Sequence, residues 1–83
     1  MEHYLFSARS ATQAHRAARV LNSGGIHASV QRLPVEFARQ GCAYAVRVDV
    51  ADHDVALQRL EQAHLTPERV LRHNDAGYSE VMV

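Results

Sequence analysis

Residues 43–50 of this chain have the sequence Ala-Tyr-Ala-Val-Arg-Val-Asp-Val. Apolar or aromatic side chains occupy every second position from Tyr44 onward, which is typical of a β-strand that buries one of its faces. We therefore predict a strand over about residues 43–50. Its two faces are predicted to be Tyr44, Val46, Val48 and Val50 on one side, and Ala45, Arg47 and Asp49 on the other.

A second alternating stretch precedes this strand. Ile26, Ala28 and Val30 alternate with polar residues, and this pattern predicts another half-buried strand. Pro34 ends that strand because proline cannot donate to a ladder of hydrogen bonds. Residues 35–41 then form a predicted loop that has the length for one helical turn.

Two stretches with helical periodicity flank the pair of strands. The first is predicted over residues 11–23, because Ser10 and Gln13 have the spacing of a capping box and Gly24 and Gly25 follow as a helix end. Asp52 is the predicted N-cap of the second helix. The apolar stripe of the second helix is predicted to be Val55, Ala56, Leu60 and Ala63.

The outer strands complete the predicted fold. Residues 3–7 are short and rich in aromatic and apolar types, which predicts strand one, and residues 69–73 are predicted as strand four. Residues 74–77 have the composition of a turn, and residues 78–83 form either a fifth strand or a loose tail. The order β-α-β-β-α-β predicts an α+β, ferredoxin-like fold, in which a four-stranded antiparallel sheet carries both helices on one face. Strands one and three are expected at the centre, with strands two and four at the edges. We expect one domain over residues 1–73 and a C-terminal extension over 74–83.

The alternation also predicts which residues face the helices. The opposite face of the sheet is mixed polar, so water or a second subunit is expected to cover it. The helix-facing set is Ala14, Leu21, Ile26, Val30, Val46, Val48 and Leu60. The opposite set is His27, Ser29, Gln31, Arg47 and Asp49.

Composition narrows the classes of function. The nine basic residues are all Arg, nine acidic residues balance them, and the net charge near zero argues against a nucleic-acid-binding protein. The absence of Lys removes Schiff-base chemistry. Without a signal peptide or an apolar run of membrane-spanning length, a cytoplasmic location is expected, with no membrane partner.

Cys42 is the only cysteine of the chain and its main candidate for chemistry. Gly41 before it and the small Ala43 after it leave space beside the sulfur, and Arg39 would stabilise a thiolate. The alternative is a structural thiol, because Cys42 has the same parity as Tyr44 and Val46, and free cysteines are commonly buried.

The six histidines do not predict a metal site. No two of them stand four residues apart on one helix, and no second cysteine supplies a ligand pair. We interpret them as surface residues, in a chain that uses Arg and His where others use Lys, and expect neither a metal nor another cofactor.

The order of features resembles a family of selenium/sulfur carrier-like proteins, small bacterial domains of unknown function. The resemblance covers about residues 3–72 and rests on three segments: Tyr4-Leu5-Phe6-Ser7, Leu21-Asn22-Ser23-Gly24-Gly25-Ile26, and Leu33-Pro34 followed by Gly41-Cys42-Ala43. In the family's pattern a glycine usually follows the cysteine, whereas Ala43 follows it here. The resemblance implies a ferredoxin-like fold and a role for Cys42 as the atom that carries sulfur or selenium.

Two functions follow as hypotheses. In the first, Cys42 carries a persulfide-type adduct of sulfur or selenium from a donor protein to an acceptor protein. Arg39, Gly41 and Ala43 are the residues predicted to bind the adduct. Whether such a carrier is an enzyme stays open. In the second, the chain is a non-catalytic binding or oligomerisation module with a structural cysteine, for example a homodimer formed through the open sheet face or an edge strand.

Overall fold

The computed structural model of the chain describes residues 2–38 and 43–81. Two α-helices lie against a five-stranded antiparallel sheet, so the fold class is α+β. The strands are β1 (His3–Ala8), β2 (Ala28–Arg32), β3 (Tyr44–Asp49), β4 (Val70–Asn74) and β5 (Gly77–Val81). The helices are α1 (Ala11–Ser23) and α2 (His53–Gln62), and short 3-10 turns occupy Val35–Phe37 and Val50–Asp52.

The strands are arranged in the order β2-β3-β1-β4-β5. The predicted central positions of β1 and β3 and the predicted edge position of β2 are confirmed. The prediction that the fourth strand forms an edge is wrong, because β5 folds back and pairs with β4 from Val70↔Val81 to Asn74↔Gly77. The sheet therefore differs from a strict four-stranded ferredoxin-like sheet, and β5 is its second edge.

Both helices bury their apolar side chains on one face of the sheet. The residues that share this main core include Ala14, Leu21, Val46, Val48 and Leu60, as the alternation predicted. Val30 packs against the same core but is only partly buried, since β2 is an edge strand.

Two details of the second helix differ from the prediction. Val55 is 47% exposed, so it does not belong to the apolar stripe that Ala56 and Leu60 form. Asp52 occupies the N-cap position, but its side chain makes no capping hydrogen bond. Among the described residues, neither helix has the length and the apolar run that crossing a bilayer would require.

The opposite face of the sheet contains a second, smaller core that the sequence did not predict. Leu5, Ala45 and Leu71 are each at most 1% exposed, although they point away from the helices. The residues that cover them are Leu33, Phe37 and Tyr78. Leu33 and Phe37 belong to the connection between β2 and β3, so the chain itself covers part of the face that was expected to be open to water or a second subunit.

Candidate functional site

The predicted site lies in the connection between β2 and β3, residues 33–43. Arg39, Gly41 and Cys42 lie outside the described residues, so their predicted roles stay predictions. Ala43 is described: it is partly buried, and its carbonyl accepts a hydrogen bond of 2.9 Å from the N–H of Leu33. This bond continues the β2–β3 ladder past its last pair, Arg32↔Tyr44, and holds the two ends of the connection together.

The first half of the connection folds over the second core. After Pro34 the chain forms the 3-10 turn Val35–Phe37, in which the N–H of Phe37 donates to the carbonyl of Pro34 at 2.9 Å. The ring of Phe37 packs against the second core, whereas Val35 in the same turn is 86% exposed. Burial of one aromatic ring thus fixes the position of the segment that leads to the cysteine.

Arg69, which immediately precedes β4, holds the 3-10 turn Val35–Phe37 in place. Its guanidinium donates a hydrogen bond to the carbonyl oxygen of Phe37 and lies 5.7 Å from the centre of the Phe37 ring. The same guanidinium pairs with Glu80 of β5 at 3.1 Å, and the Arg69 side chain is only 14% exposed. The N–H of Arg69 donates to Ser7 Oγ at 2.9 Å, so contacts with β1, with β5 and with the 3-10 turn fix the position of Arg69.

Three rings cluster at the other end of the same face. The His3 and His73 rings stack with their centres 4.6 Å apart, and His3 Nε2 is hydrogen-bonded to the Tyr78 hydroxyl at 2.8 Å. Tyr78 also contacts the His73 ring, at 4.7 Å between centres. These contacts attach β5 to β1 across β4. Within the described residues, no group of three or more His, Cys, Asp or Glu side chains is placed to hold a metal ion.

One ion pair has a clear electrostatic effect. Arg72 donates a hydrogen bond of 2.8 Å to Glu2, and this bond together with the guanidinium charge holds the pKa of the Glu2 carboxyl below its usual range. The same hydrogen bond raises the pKa of Arg72. The Arg72 and Glu2 side chains are 41% and 52% exposed, and their pair joins β4 to the residue before β1, so it bears on stability.

Sequence reasoning missed Phe37, Arg69 and Leu33 as the residues that position the connection. A signal was present, because Leu5 and Leu71 fall on the strand face opposite Phe6 and Val70. Two large apolar side chains on the presumed polar face require a cover, and the aromatic residue in the adjoining loop supplies it.

The connection and both strands that carry it fall inside a family match. Residues 3–72 match the family described as "Putative Se/S carrier protein-like". The chain belongs to this family. The match includes the only cysteine of the Se/S carrier-like chain and ends within β4, before β5 begins. The comparison with curated proteins finds no significant match, and neither does the comparison with solved structures.

Proposed function

We propose that this protein carries a sulfur or selenium atom on the thiol of Cys42 and transfers it between a donor protein and an acceptor protein. The observation that carries the proposal is the membership of the chain in the Se/S carrier family over a match that contains its single cysteine. A carrier of this kind uses its own thiol and needs no further cofactor.

The transfer is a nucleophilic displacement at sulfur. The Cys42 thiolate attacks the outer sulfur of a donor persulfide, R–S–SH; a new S–S bond forms at Cys42, and the donor leaves as the thiolate R–S⁻. The acceptor repeats the step in reverse roles, so no external oxidant or reductant is consumed. With selenium, the donor is R–S–SeH and the transferred atom is selenium.

The described contacts support this role by the way they hold the connection. The Leu33–Ala43 hydrogen bond closes its two ends, and Arg69 fixes Phe37 just before the segment that holds Arg39, Gly41 and Cys42. In the proposal, the guanidinium of Arg39 stabilises the thiolate and the charge of the adduct. Gly41 and Ala43 leave space for the donor. The fold that presents this connection is a ferredoxin-like unit, in our proposal, to which β5 adds a fifth strand.

Mass spectrometry of the intact protein tests the proposal. After incubation with a cysteine desulfurase and cysteine, we expect the wild type to gain the mass of one sulfur atom, which dithiothreitol then removes. Cys42→Ser should gain nothing, and Arg39→Gln should gain the atom more slowly. The proposal fails if the wild type gains no sulfur, or if Cys42→Ser gains as much as the wild type.

The reactivity of the native thiol provides a second test. A carrier thiol should react with a thiol-specific probe at neutral pH without denaturant, whereas a structural thiol should react only after unfolding. The unfolded protein in denaturant gives the reference rate for the free thiol.

A further inference from the structure

β5 (Gly77–Val81) forms one edge of the sheet, and the strand register decides which of its backbone groups face outward. The N–H of Ser7 donates to the carbonyl of Arg69 at 3.0 Å, which makes these two residues a hydrogen-bonded pair between β1 and the start of β4. Hydrogen-bonded and non-hydrogen-bonded pairs alternate along an antiparallel ladder. Carried across β4 to β5, this alternation turns the N–H and C=O groups of Tyr78 and Glu80 away from β4.

This outer edge of β5 is open in the part of the chain that the structure describes. Within residues 2–38 and 43–81, no hydrogen bond reaches the outward backbone groups of Tyr78 and Glu80. The strand has no proline and no lysine, two residue types that commonly keep an exposed edge from pairing. Its single charged side chain, Glu80, is already paired with Arg69 at 3.1 Å. The edge is therefore able to accept another strand.

The opposite edge of the sheet, β2 (Ala28–Arg32), is partly closed by the chain itself. The side-chain amide of Asn22 accepts a hydrogen bond of 3.1 Å from the N–H of Ala28 and donates one of 3.0 Å to its carbonyl. Asn22 thus takes the place of a neighbouring strand at this position, and a further strand aligned along β2 would meet it. The two edges are not equivalent, because β5 is open from Gly77 to Val81.

The open edge of β5 is complementary to a second copy of itself. When two β5 strands run antiparallel about Ser79, Tyr78 of one copy lies opposite Glu80 of the other, and each of these residues both donates and accepts a main-chain hydrogen bond. A register with Glu80 opposite Glu80 would place like charges together. A register with Tyr78 opposite Tyr78 would leave Glu80 opposite the turn before β5. The pairing about Ser79 is therefore the favoured register.

We propose that this protein forms a homodimer in which two β5 strands pair antiparallel about Ser79 and join two sheets into one. The formal net charge of the chain is zero at pH 7, so two copies do not repel each other at long range. The contact is short, and we expect a weak dimer with a dissociation constant of the order of 100 μM.

The proposed dimer has a defined arrangement of the two chains. Residues that lie opposite each other in an antiparallel pair share one face of the sheet, so both β2–β3 connections lie on the same face of the joined sheet. The strand edge is the contact, and not the sheet face that Leu33 and Phe37 partly cover. This proposal does not depend on the carrier function.

Sedimentation of the full chain tests the association. Between about 10 μM and about 1 mM, we expect the apparent mass to rise from that of one chain toward that of two. A monomer throughout this range would overturn the proposal. A mass that continues to rise beyond two chains would also overturn it, because growth of that kind requires a second interface.

Amide hydrogen exchange locates the contact. As the concentration rises, the amide protons of Tyr78 and Glu80 should exchange more slowly because they become hydrogen-bonded, whereas those of Val30 and Arg32 on the β2 edge should keep their rates. Protection of Tyr78 and Glu80 that appears only after a cysteine desulfurase is added to a monomeric protein would mean that a different partner pairs with β5. That result would overturn the proposal of self-pairing.

A lysine at the centre of the contact tests the register. Ser79 is exposed, and Ser79→Lys would bring two ammonium groups directly opposite each other, so it should raise the dissociation constant about fivefold. Ser29→Lys is the matched control, because Ser29 is an exposed serine in the edge strand β2. It should leave the dimer unchanged. If Ser79→Lys associates like the wild type, or if both variants lose affinity equally, the assignment to β5 is wrong.

A disulfide trap provides a covalent readout. The two Ser79 residues form a non-hydrogen-bonded pair in the proposed dimer, with Cα atoms about 4.5 Å apart, a distance that a disulfide spans. Oxidation should link Cys42→Ser/Ser79→Cys into a covalent dimer on a non-reducing gel and leave Cys42→Ser/Ser29→Cys monomeric. Equal cross-linking of the two would overturn the proposal. Both variants lack the Cys42 thiol, so this result is independent of sulfur or selenium transfer.

Discussion

The guanidinium of Arg69, immediately before β4, donates a hydrogen bond to the main-chain carbonyl of Phe37, in the connection between β2 and β3. These residues are 32 positions apart in the chain, and their contact closes the second core over Leu5 and Leu71. It also fixes the 3-10 turn Val35–Phe37, which comes before Cys42 in the chain. This relationship links the stability of the second sheet face to the proposed carrier site.

Arg69→Met should lower the free energy of unfolding by about 1–2 kcal/mol, because the variant keeps the apolar contact but loses a hydrogen bond from a charged donor. Glu80→Gln removes the ion pair and leaves the bond to Phe37, so it should cost about 0.5 kcal/mol or less. Urea denaturation of both variants measures the difference. Equal losses would mean that the ion pair, and not the bond to Phe37, is the stabilising contact.

Phe37→Ala should destabilise the protein by about 1.5–3 kcal/mol, since it uncovers the second core. Val35→Ala is the matched control in the same 3-10 turn. Val35 is 86% exposed, so its loss should cost less than about 0.5 kcal/mol. Thermal unfolding followed by circular dichroism measures both. Similar melting temperatures for the two variants would contradict the assignment of Phe37 to the core.

Tyr78→Phe should cost about 1 kcal/mol, because it removes the hydroxyl that is bonded to the buried His3. Tyr44 is the control: its ring also packs in the fold, but within the described residues its hydroxyl makes no hydrogen bond. Tyr44→Phe should therefore change stability by less than about 0.5 kcal/mol. Chemical denaturation distinguishes them, and an unchanged free energy of unfolding in Tyr78→Phe would show that the hydroxyl bond to His3 contributes nothing to stability.

The two helix ends predict opposite effects of exchanging glycine and a side chain, because Gly25 after α1 has a φ of 82° and His64 after α2 has a φ of 60°. His64→Gly should stabilise the protein by about 0.5–1 kcal/mol, and Gly25→Ala should destabilise it by about 1–2 kcal/mol. A Cβ added at Gly25 would meet no atom within 4 Å, so its cost is that of the backbone conformation alone. Differential scanning calorimetry measures both shifts, and destabilisation by His64→Gly would show that its side chain contributes packing.

The Glu2–Arg72 pair predicts one contribution to the pH dependence of stability. The hydrogen bond and charge of Arg72 lower the pKa of Glu2 in the folded protein. The pair therefore stabilises the fold above the ordinary pKa of a glutamate, about 4.3, and this contribution disappears as the pH falls through the lowered value. Glu2→Gln should lose this part of the pH dependence.

Denaturation curves between pH 3 and pH 7, in steps of about one unit, compare Glu2→Gln with wild type and with Glu36→Gln. Glu36 is exposed and forms no ion pair with any described residue. Glu36→Gln should retain the wild-type dependence of the free energy of unfolding on pH. A Glu2→Gln variant that does the same would show that solvent screens the pair completely.

Local sequence patterns determined the elements of this protein. The alternation of Val46 and Val48, the cap at Ser10 and the glycines after α1 are interactions between near neighbours in the chain, so the helix and strand positions could be predicted from them. The same alternation placed Ala45 on the face away from the helices. The single cysteine and the resemblance of its flanking segments indicated the family, which the match over residues 3–72 confirmed.

Contacts between distant parts of the chain decided the rest. The cover that Phe37 provides for Leu5, the hydrogen bond from Arg69 to Phe37, and a cavity at the end of α2 all join residues that lie far apart in sequence. No local periodicity encodes such contacts, because they depend on which surfaces remain exposed after the strands have paired. The sequence alone therefore determined the elements and the candidate atom, and the tertiary structure decided which residues hold Phe37 over the second core.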